Sequence, residues 1–394
     1  MRNPDLDKIL GAMLDTHPGI SDLIFSVDRT FQVESYGELK SADVHPSIKR
    51  LTAFQTEQIA LNIIGNSRHL MRDLVKKGAC DCSYALADRA RFRVNIFRQR
   101  GNFAVVMRKA QTEMPSIASL GLSSTFYEIA KEKNGLILVT GATGSGKTTT
   151  LSALLNEINE TQPVHVVTLE DPIEFIHPHK RATFNQRELG MDFQDFPGGL
   201  RSALRQAPKV ILVGEMRDRA TVEIALTAAE TGHLVLSTLH TINAGQSINR
   251  ILGLFDRAEE TQLRLRLSET LRYVVSQRLT PKVGGGRLLI NEIMGSNLRT
   301  RETIALGENE GRTFYEIIEA SATFGWTTFD QSLHRAYEGG LISEESANLY
   351  ASNKAKMTRH IDNVKKLRGL NSDEPSGFKL DVVPSASALV HLKL

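Results

Sequence analysis

The sequence predicts an α/β protein: a small α+β module over residues 1–112, then a P-loop domain over residues 123–298, then a helical region over residues 299–370. Three observations predict it. The stretch GLILVTGATGSGKTTT (residues 135–150) sets an apolar run before a glycine-rich loop and a helix-forming run after it. Beyond it the strand-like runs HVVTLE, VILVGE, HLVLSTLH and RLLINEIM are separated, between the first several, by helical stretches, the signature of a largely parallel sheet. Before it, RARFRVNIFRQRG and NFAVVMRKA read as a hairpin turned at the glycine of RQRGN.

The first module opens with an amphipathic helix over residues 5–14. Strands are expected over 22–27 and 31–35, and helices over 56–64 and 69–77. In the first arm of the hairpin Phe92, Val94 and Ile96 share one face, and Arg91 and Arg93 the other. That arginine face is either solvated or in contact with phosphate. Residues 113–122, with Pro115 and little periodicity, read as a linker, and a helix over 123–133 leads into the P-loop strand. Residues 258–279 read as one long helix, because Leu263, Leu267, Leu271 and Val274 recur at a spacing of three to four. Helices follow over 314–322, 328–338 and 343–352, and the Ser- and Pro-rich end, 371–394, reads as a loosely ordered tail.

Bulk composition narrows the function classes. The 394 residues suffice for two or three domains. Lys+Arg 48 against Asp+Glu 45 leaves a net charge of +3, without the basic excess of a dedicated nucleic-acid binder. No stretch reaches the length of a membrane span, and the N-terminus has no apolar signal core, so a cytoplasmic protein is expected. The two cysteines, Cys80 and Cys82, are too close for an easy disulfide and too few for a zinc site, and read as reduced structural thiols.

The chemistry gathers at the P-loop. Gly141, Ala142, Thr143, Gly144, Ser145, Gly146, Lys147 and Thr148 fit GxxxxGK[ST], with Thr149 carrying the helix on. Glycines let successive amides curl around phosphate oxygens, and the helix start adds free N–H groups. Lys147 is expected on the β/γ-phosphates of ATP and the Thr148 hydroxyl on Mg²⁺. Four further clusters sit at strand ends. TLEDPIEF supplies Glu170, Asp171 and Glu174, able to hold Mg²⁺ or polarise water; read alone it is a cap and a turn. VILVGEMRD ends in Glu215, one residue further out than a direct metal ligand, and suited to orienting water. His233 and His240 bracket the strand HLVLSTLH, where a neutral imidazole can sense a γ-phosphate or steady a carboxylate.

The order GATGSGKTTT, LEDPIEF, VILVGEMRD, TAAETGHLVLSTLHT resembles the secretion ATPase superfamily and, within it, the PilT/PilU group of type IV pilus retraction ATPases. The resemblance runs from about residue 5 to 355, through FRVNIFRQRG and FDQSL…GLIS. It implies a PAS-like α+β N-terminal domain followed by a RecA-like ATPase domain with a helical C-terminal region, assembled as a homohexamer. It makes Glu215 the catalytic glutamate, Glu170 and Glu174 members of an Asp box, and His233 and His240 a His box. Arg93, Arg98 and Arg100 are then expected to approach nucleotide phosphates. It also implies an inner-membrane pilus platform protein as partner, a location peripheral to that membrane, and no nucleic acid.

Assembly and type II secretion members usually carry a four-cysteine zinc motif; no Cys follows Cys82, which favours the retraction branch. Two departures stand out. Ala207-Pro208-Lys209 replaces the common DPD, and RTRETIALGENEGRTFYEI lacks the AIRNLIRE of typical retraction motors. The second departure raises an accessory, PilU-like role beside a second pilus ATPase. The rival readings are an assembly or type II secretion ATPase, a DNA-stimulated RecA-like translocase and a non-hydrolysing ring subunit. Scarce aromatics (6%) oppose base stacking, and intact Lys147, Thr148 and Glu215 oppose the last.

Overall fold

A computed structural model describes residues 4–45, 48–86, 89–110 and 113–368. The expected tail over 371–394 lies outside these. The chain divides into two compact units, the first Met1–Leu279 with Leu289–Thr328, the second Thr280–Leu288 with Phe329 onward.

The first unit opens with helix α1 (Pro4–Asp15) and strands β1 (Ile20–Phe25), β2 (Gln32–Ser35) and β3 (Glu38–Ser41). Helices α2 (Ala53–Ile64) and α3 (Arg68–Lys77) follow, then β4 (Ala79–Leu86), β5 (Ala90–Gln99) and β6 (Asn102–Lys109). The six strands form one sheet in the order β3-β2-β1-β6-β5-β4. Helix α2 starts on a capping box, Thr52 with Gln55, that satisfies two free amides at once. The alternation in β5 is as expected: Phe92, Val94 and Ile96 are buried and Arg93 is exposed. The β5–β6 hairpin turns at Arg100 and Gly101, both in the left-handed region (φ 49° and 79°), where glycine relieves the second position. Cys80 and Cys82 lie on β4, a strand absent from the sequence-based expectation; both are buried and free, and burial pushes their thiols up to about 11 and about 12. They are inert packing residues.

The second sheet of this unit runs β13-β12-β7-β11-β10-β8-β9. Its elements in chain order are α4 (Thr125–Ala130), β7 (Gly135–Gly141), α5 (Lys147–Thr161), β8 (His165–Glu170), β9 (Thr183–Glu188), α6 (Phe196–Ala203) and β10 (Val210–Val213). Then come α7 (Arg219–Glu230), β11 (Leu234–Leu239), α8 (Ala244–Leu252), α9 (Glu260–Thr270), β12 (Leu271–Pro281) and β13 (Arg287–Gly295), with α10 (Leu298–Leu306) and α11 (Phe314–Glu319) after them. Strands β7 to β12 pair in parallel, so both faces must be covered, and every residue of β7 is buried. Its side chains divide by alternation: Leu136 and Leu138 join a core with α7, α8 and α9, while Ile137 and Val139 join one with α4 and α5. Ile117, in the stretch read as a linker, is buried in the second of these cores.

One expected element is overturned. The long helix over 258–279 is a shorter helix, α9, that stops at Thr270; Leu271 is already extended (φ −66°, ψ 123°) and begins β12. Leu271 and Val274 therefore face the core from a strand. Tyr273, Val274 and Val275 favour extended backbone, and the partner β7 supplies the ladder, with Val274 opposite Leu138. The second unit contains helices α12 (Phe329–Glu338), α13 (Glu344–Tyr350) and α14 (Lys354–Leu367). Asp330 ties α12 to the α13–α14 turn by accepting from the amides of Ser352 (2.7 Å) and Asn353 (3.1 Å).

Candidate active site

In a parallel sheet the carboxyl ends of the strands share one edge, and ligands gather there. Strand β7 delivers the P-loop at that edge. Gly141 has φ 147°, and a Cβ on it would lie 2.5 Å from Ser145 Oγ and 2.6 Å from the Gln277 carbonyl, so the loop closes only on glycine. Gly146 caps α5 in the left-handed region (φ 89°), aiming the first helical amides back into the loop. The Lys147 ammonium folds over the loop, donating to the carbonyls of Gly141 (2.9 Å) and Ala142 (3.0 Å). Burial draws its pKa below the ordinary lysine value, against the opposing pull of Glu215 and Glu174. Ala142, Thr143 and Gly144 are exposed along the loop, Thr148 and Thr149 are half-buried at the helix start, and the buried Ser145 Oγ has no partner. The open amides, buried ammonium and hydroxyl are the donor set that a nucleoside polyphosphate with a divalent cation requires.

The neighbouring strands bring the acids. Glu215 stands two residues beyond β10, its Oε2 on Arg217 Nη2 (2.7 Å) and its Oε1 on His240 Nε2 (3.4 Å). Burial raises its pKa, but Arg217 and His240 outweigh burial and hold the carboxyl below the ordinary carboxylate value. Its backbone is fixed as well: Gly214 N donates to the Leu169 carbonyl (2.8 Å), and Thr238 Oγ1 donates to the Gly214 carbonyl (2.6 Å). Glu170, at the end of β8, is buried; its Oε1 accepts from Thr168 Oγ1 (2.6 Å) and Gln186 Nε2 (3.0 Å). Burial lifts its pKa to about 7, with a further push from Glu174 and an opposing pull from Arg91. The exposed Glu174 thus lies within electrostatic reach of both Lys147 and Glu170.

The structure therefore brings together the P-loop, Glu170, Glu174, Glu215 and His240. It does not bring His233 there. His233 precedes β11, at the opposite end of the strand from His240; its Nδ1 bonds the Ala228 carbonyl (3.0 Å) and its own carbonyl accepts from Gly135 N, where β7 begins. Arg93, Arg98 and Arg100 are exposed on β5 and its turn, and among the described residues no hydrogen bond or ion pair joins them to the P-loop of their own chain. The arginine that does reach the core is Arg91, which pairs with Glu188 at 2.6 Å. Arg217, Gln186, Glu188 and Gln277 escape the sequence reading, and Arg91, read there with Arg93 as one solvated or phosphate-contacting face, is bound instead to Glu188. Gln277 donates to Thr150 Oγ1 (2.7 Å) in the interior, bracing α5 from β12. For Glu188 the available signal was an acid closing the run TFNQRE, as acids close the runs before it.

Residues 82–320 match the family model described as type II/IV secretion system protein. The type IV pilus retraction ATPase PilT of Pseudomonas aeruginosa is 39% identical over 329 residues, 84% of this chain and 93% of that protein. The type IV pilus ATPase PilU of the same organism is 33% identical over 348 residues, 88% of each chain. A crystal structure of the pilus retraction motor PilT with bound ADP superposes with a TM-score of 0.79 at 37% identity, covering 90% of this chain and 98% of the other.

Proposed function

The chain belongs to the type II/IV secretion system protein family, as one of its ATP hydrolases, and from that premise we propose that it is a hexameric motor that powers type IV pilus retraction at the inner-membrane platform. One observation carries the chemistry: Glu174 and Glu215, from two further strand–loop junctions, both lie within electrostatic reach of the Lys147 ammonium of the P-loop. The similarity to retraction ATPases over most of the chain supports the direction of the work.

In this reading the loop amides of Gly141–Thr148 and the Lys147 ammonium hold the phosphates of ATP. The Thr148 hydroxyl and Glu170 serve Mg²⁺, which when bound neutralises charge developing on the phosphates. Glu215 orients water and takes its proton, and Arg217 and His240 keep Glu215 ionised for that task. Glu170 or Glu174 in the role of base is the rival assignment. Arg93, Arg98 and Arg100, unattached to their own P-loop, suit the loop of a neighbouring subunit, a contact that ring symmetry repeats. Residues 1–112, 123–298 and 299–370 are taken as the N-terminal, ATPase and helical divisions of each subunit.

No described helix is long and apolar enough to cross a membrane. In this reading the motor works on the cytoplasmic side, bound to the platform protein. The absent AIRNLIRE sequence favours one variant of this reading, an accessory motor acting beside a second pilus ATPase.

The test is complementation. Cells whose own retraction ATPases are deleted should regain twitching with this chain and not with Lys147→Ala; the accessory variant requires that a second retraction ATPase be left in place. Sizing of the purified protein with nucleotide should show a hexamer, and ATP turnover should not respond to DNA. A turnover that DNA stimulates strongly, with twitching unrestored in either background, would replace the pilus motor with a translocase.

A further inference from the structure

The segment over residues 171–177 carries Asp171 and Glu174 past the P-loop and has no helix or strand of its own. It hangs from β9 at three backbone points. Glu188 Oε2 accepts from Ile173 N (3.2 Å), Gln186 Nε2 donates to the Phe175 carbonyl (2.8 Å), and Gln186 Oε1 accepts from His177 N (2.8 Å). Gln186 and Glu188 are two residues apart in a strand, so one face of β9 supplies all three holds.

The outermost hold has a second owner. The same Glu188 Oε2 that accepts from Ile173 also receives Arg91 Nη2 at 2.6 Å, and Arg91 Nη2 donates to Ser83 Oγ at 2.9 Å. Arg91 and Ser83 belong to the N-terminal sheet, on β5 and β4. Glu188 is 3% exposed, so its charge has little water to fall back on. Removing one partner of such a pair leaves the other charge buried and uncompensated. One carboxylate oxygen thus joins the N-terminal sheet to the segment that presents Asp171 and Glu174.

We propose that Arg91 and Glu188 are positioning residues for ATP hydrolysis, tying the carboxylate-bearing segment to the N-terminal sheet so that the seating of that segment at the P-loop follows the sheet. The proposal rests on the reading that the acids of this segment serve hydrolysis. It gives the N-terminal sheet a path to the chemistry within one chain, separate from any contact its exposed arginines make with a neighbouring subunit. Nucleotide binding, which rests on the P-loop, is not part of the path.

Steady-state ATP turnover by the full-length purified chain tests it. Arg91→Ala should lower kcat about tenfold or more while KM for ATP changes little, because a misplaced group costs rate and the P-loop still holds the phosphates. Glu188→Gln, which keeps an acceptor for Ile173 N but loses the ion pair, should fall in the same direction, and Arg91→Lys should recover part of the loss. Arg89→Ala, which breaks an exposed pair with Asp15 in the same N-terminal module, should turn over as wild type. If Arg91→Ala does not fold, Glu188→Gln and Arg91→Lys carry the same comparison. Folded Arg91→Ala or Glu188→Gln protein with wild-type kcat, or a loss in which KM rises as far as kcat falls, overturns the proposal. Asp171→Asn and Glu174→Gln measured alongside separate the two levels. If they retain activity, the underlying site reading fails; if they lose it while Arg91→Ala does not, only the tie fails.

Discussion

His240 and His233 stand at the two ends of a single six-residue strand, β11, and their surroundings have nothing in common. His240, at the carboxyl end, lies 3.4 Å from Glu215 beside the P-loop edge. His233, at the amino end, is spent on the Ala228 carbonyl and on the start of β7. At about 3.3 Å of rise per residue the strand separates them by roughly 23 Å. A parallel sheet is polar: all its strands point one way, so chemistry accumulates at one edge and connections at the other. Two identical side chains that look symmetric about a strand in the sequence receive opposite roles from that polarity.

The contrast can be broken or sharpened by substitution, beginning at the carboxyl edge. Lys147→Ala should reduce hydrolysis to background and weaken nucleotide binding, measured by turnover and titration, because the loop loses its phosphate-directed ammonium. Glu215→Gln should leave binding intact and cost ~10²–10⁴ in kcat, the usual loss for a positioned general base. Near-normal turnover by Glu215→Gln, with loss instead in Glu170→Gln or Glu174→Gln, would move the base to the end of β8 or the segment after it.

His240→Ala should cost less, about tenfold, as expected for removing a long charge-assisted contact from a group that stays in place. Its pH profile carries the sign. Glu215 must be ionised to accept a proton, so kcat falls as pH drops through its pKa. Arg217 and His240 hold that pKa low, so His240→Ala should move the acid limb of kcat to higher pH. His233→Ala should change kcat and KM by less than about twofold, since its ring is held at the end of α7, at the opposite edge of the sheet from the P-loop. Equal losses at His233 and His240 would erase the distinction between the two edges.

What was legible in the sequence follows the same division between local and distant causes. The P-loop could be read because its demands are local: Gly141 for a tight approach, Lys147 and Thr148 for charge and metal, a strand before and a helix after. Glu215 and Glu170 could be placed because a strand end is visible as the end of an apolar run. The break between α9 and β12 was not legible, since Leu263, Leu267, Leu271 and Val274 keep helical spacing across Thr270. What makes residues 271–281 a strand is the ladder offered by β7, far away in sequence. Nor could alternation along β5 tell Arg91 from Arg93. It puts both on one face, but only Arg91 meets Glu188, and that meeting depends on an edge strand, TFNQRE, too polar to announce itself.

The placement of β7 between β11 and β12 has a consequence for how the chain is made. Both neighbours are synthesised after it, over residues 234–239 and 271–281. A nascent chain that has reached only residue 230 carries Leu136, Ile137, Leu138 and Val139 with neither lateral partner, an apolar strand open on both edges and prone to pair with another copy. Release of residues 234–239 closes one edge. The other stays open until β12 arrives, and with it the Gln277 carbonyl that backs Gly141. The glycine loop therefore reaches its final shape only near the end of synthesis of this sheet. A ribosome stalled before residue 271 holds a polypeptide with the complete phosphate-loop sequence and an unfinished seat for it.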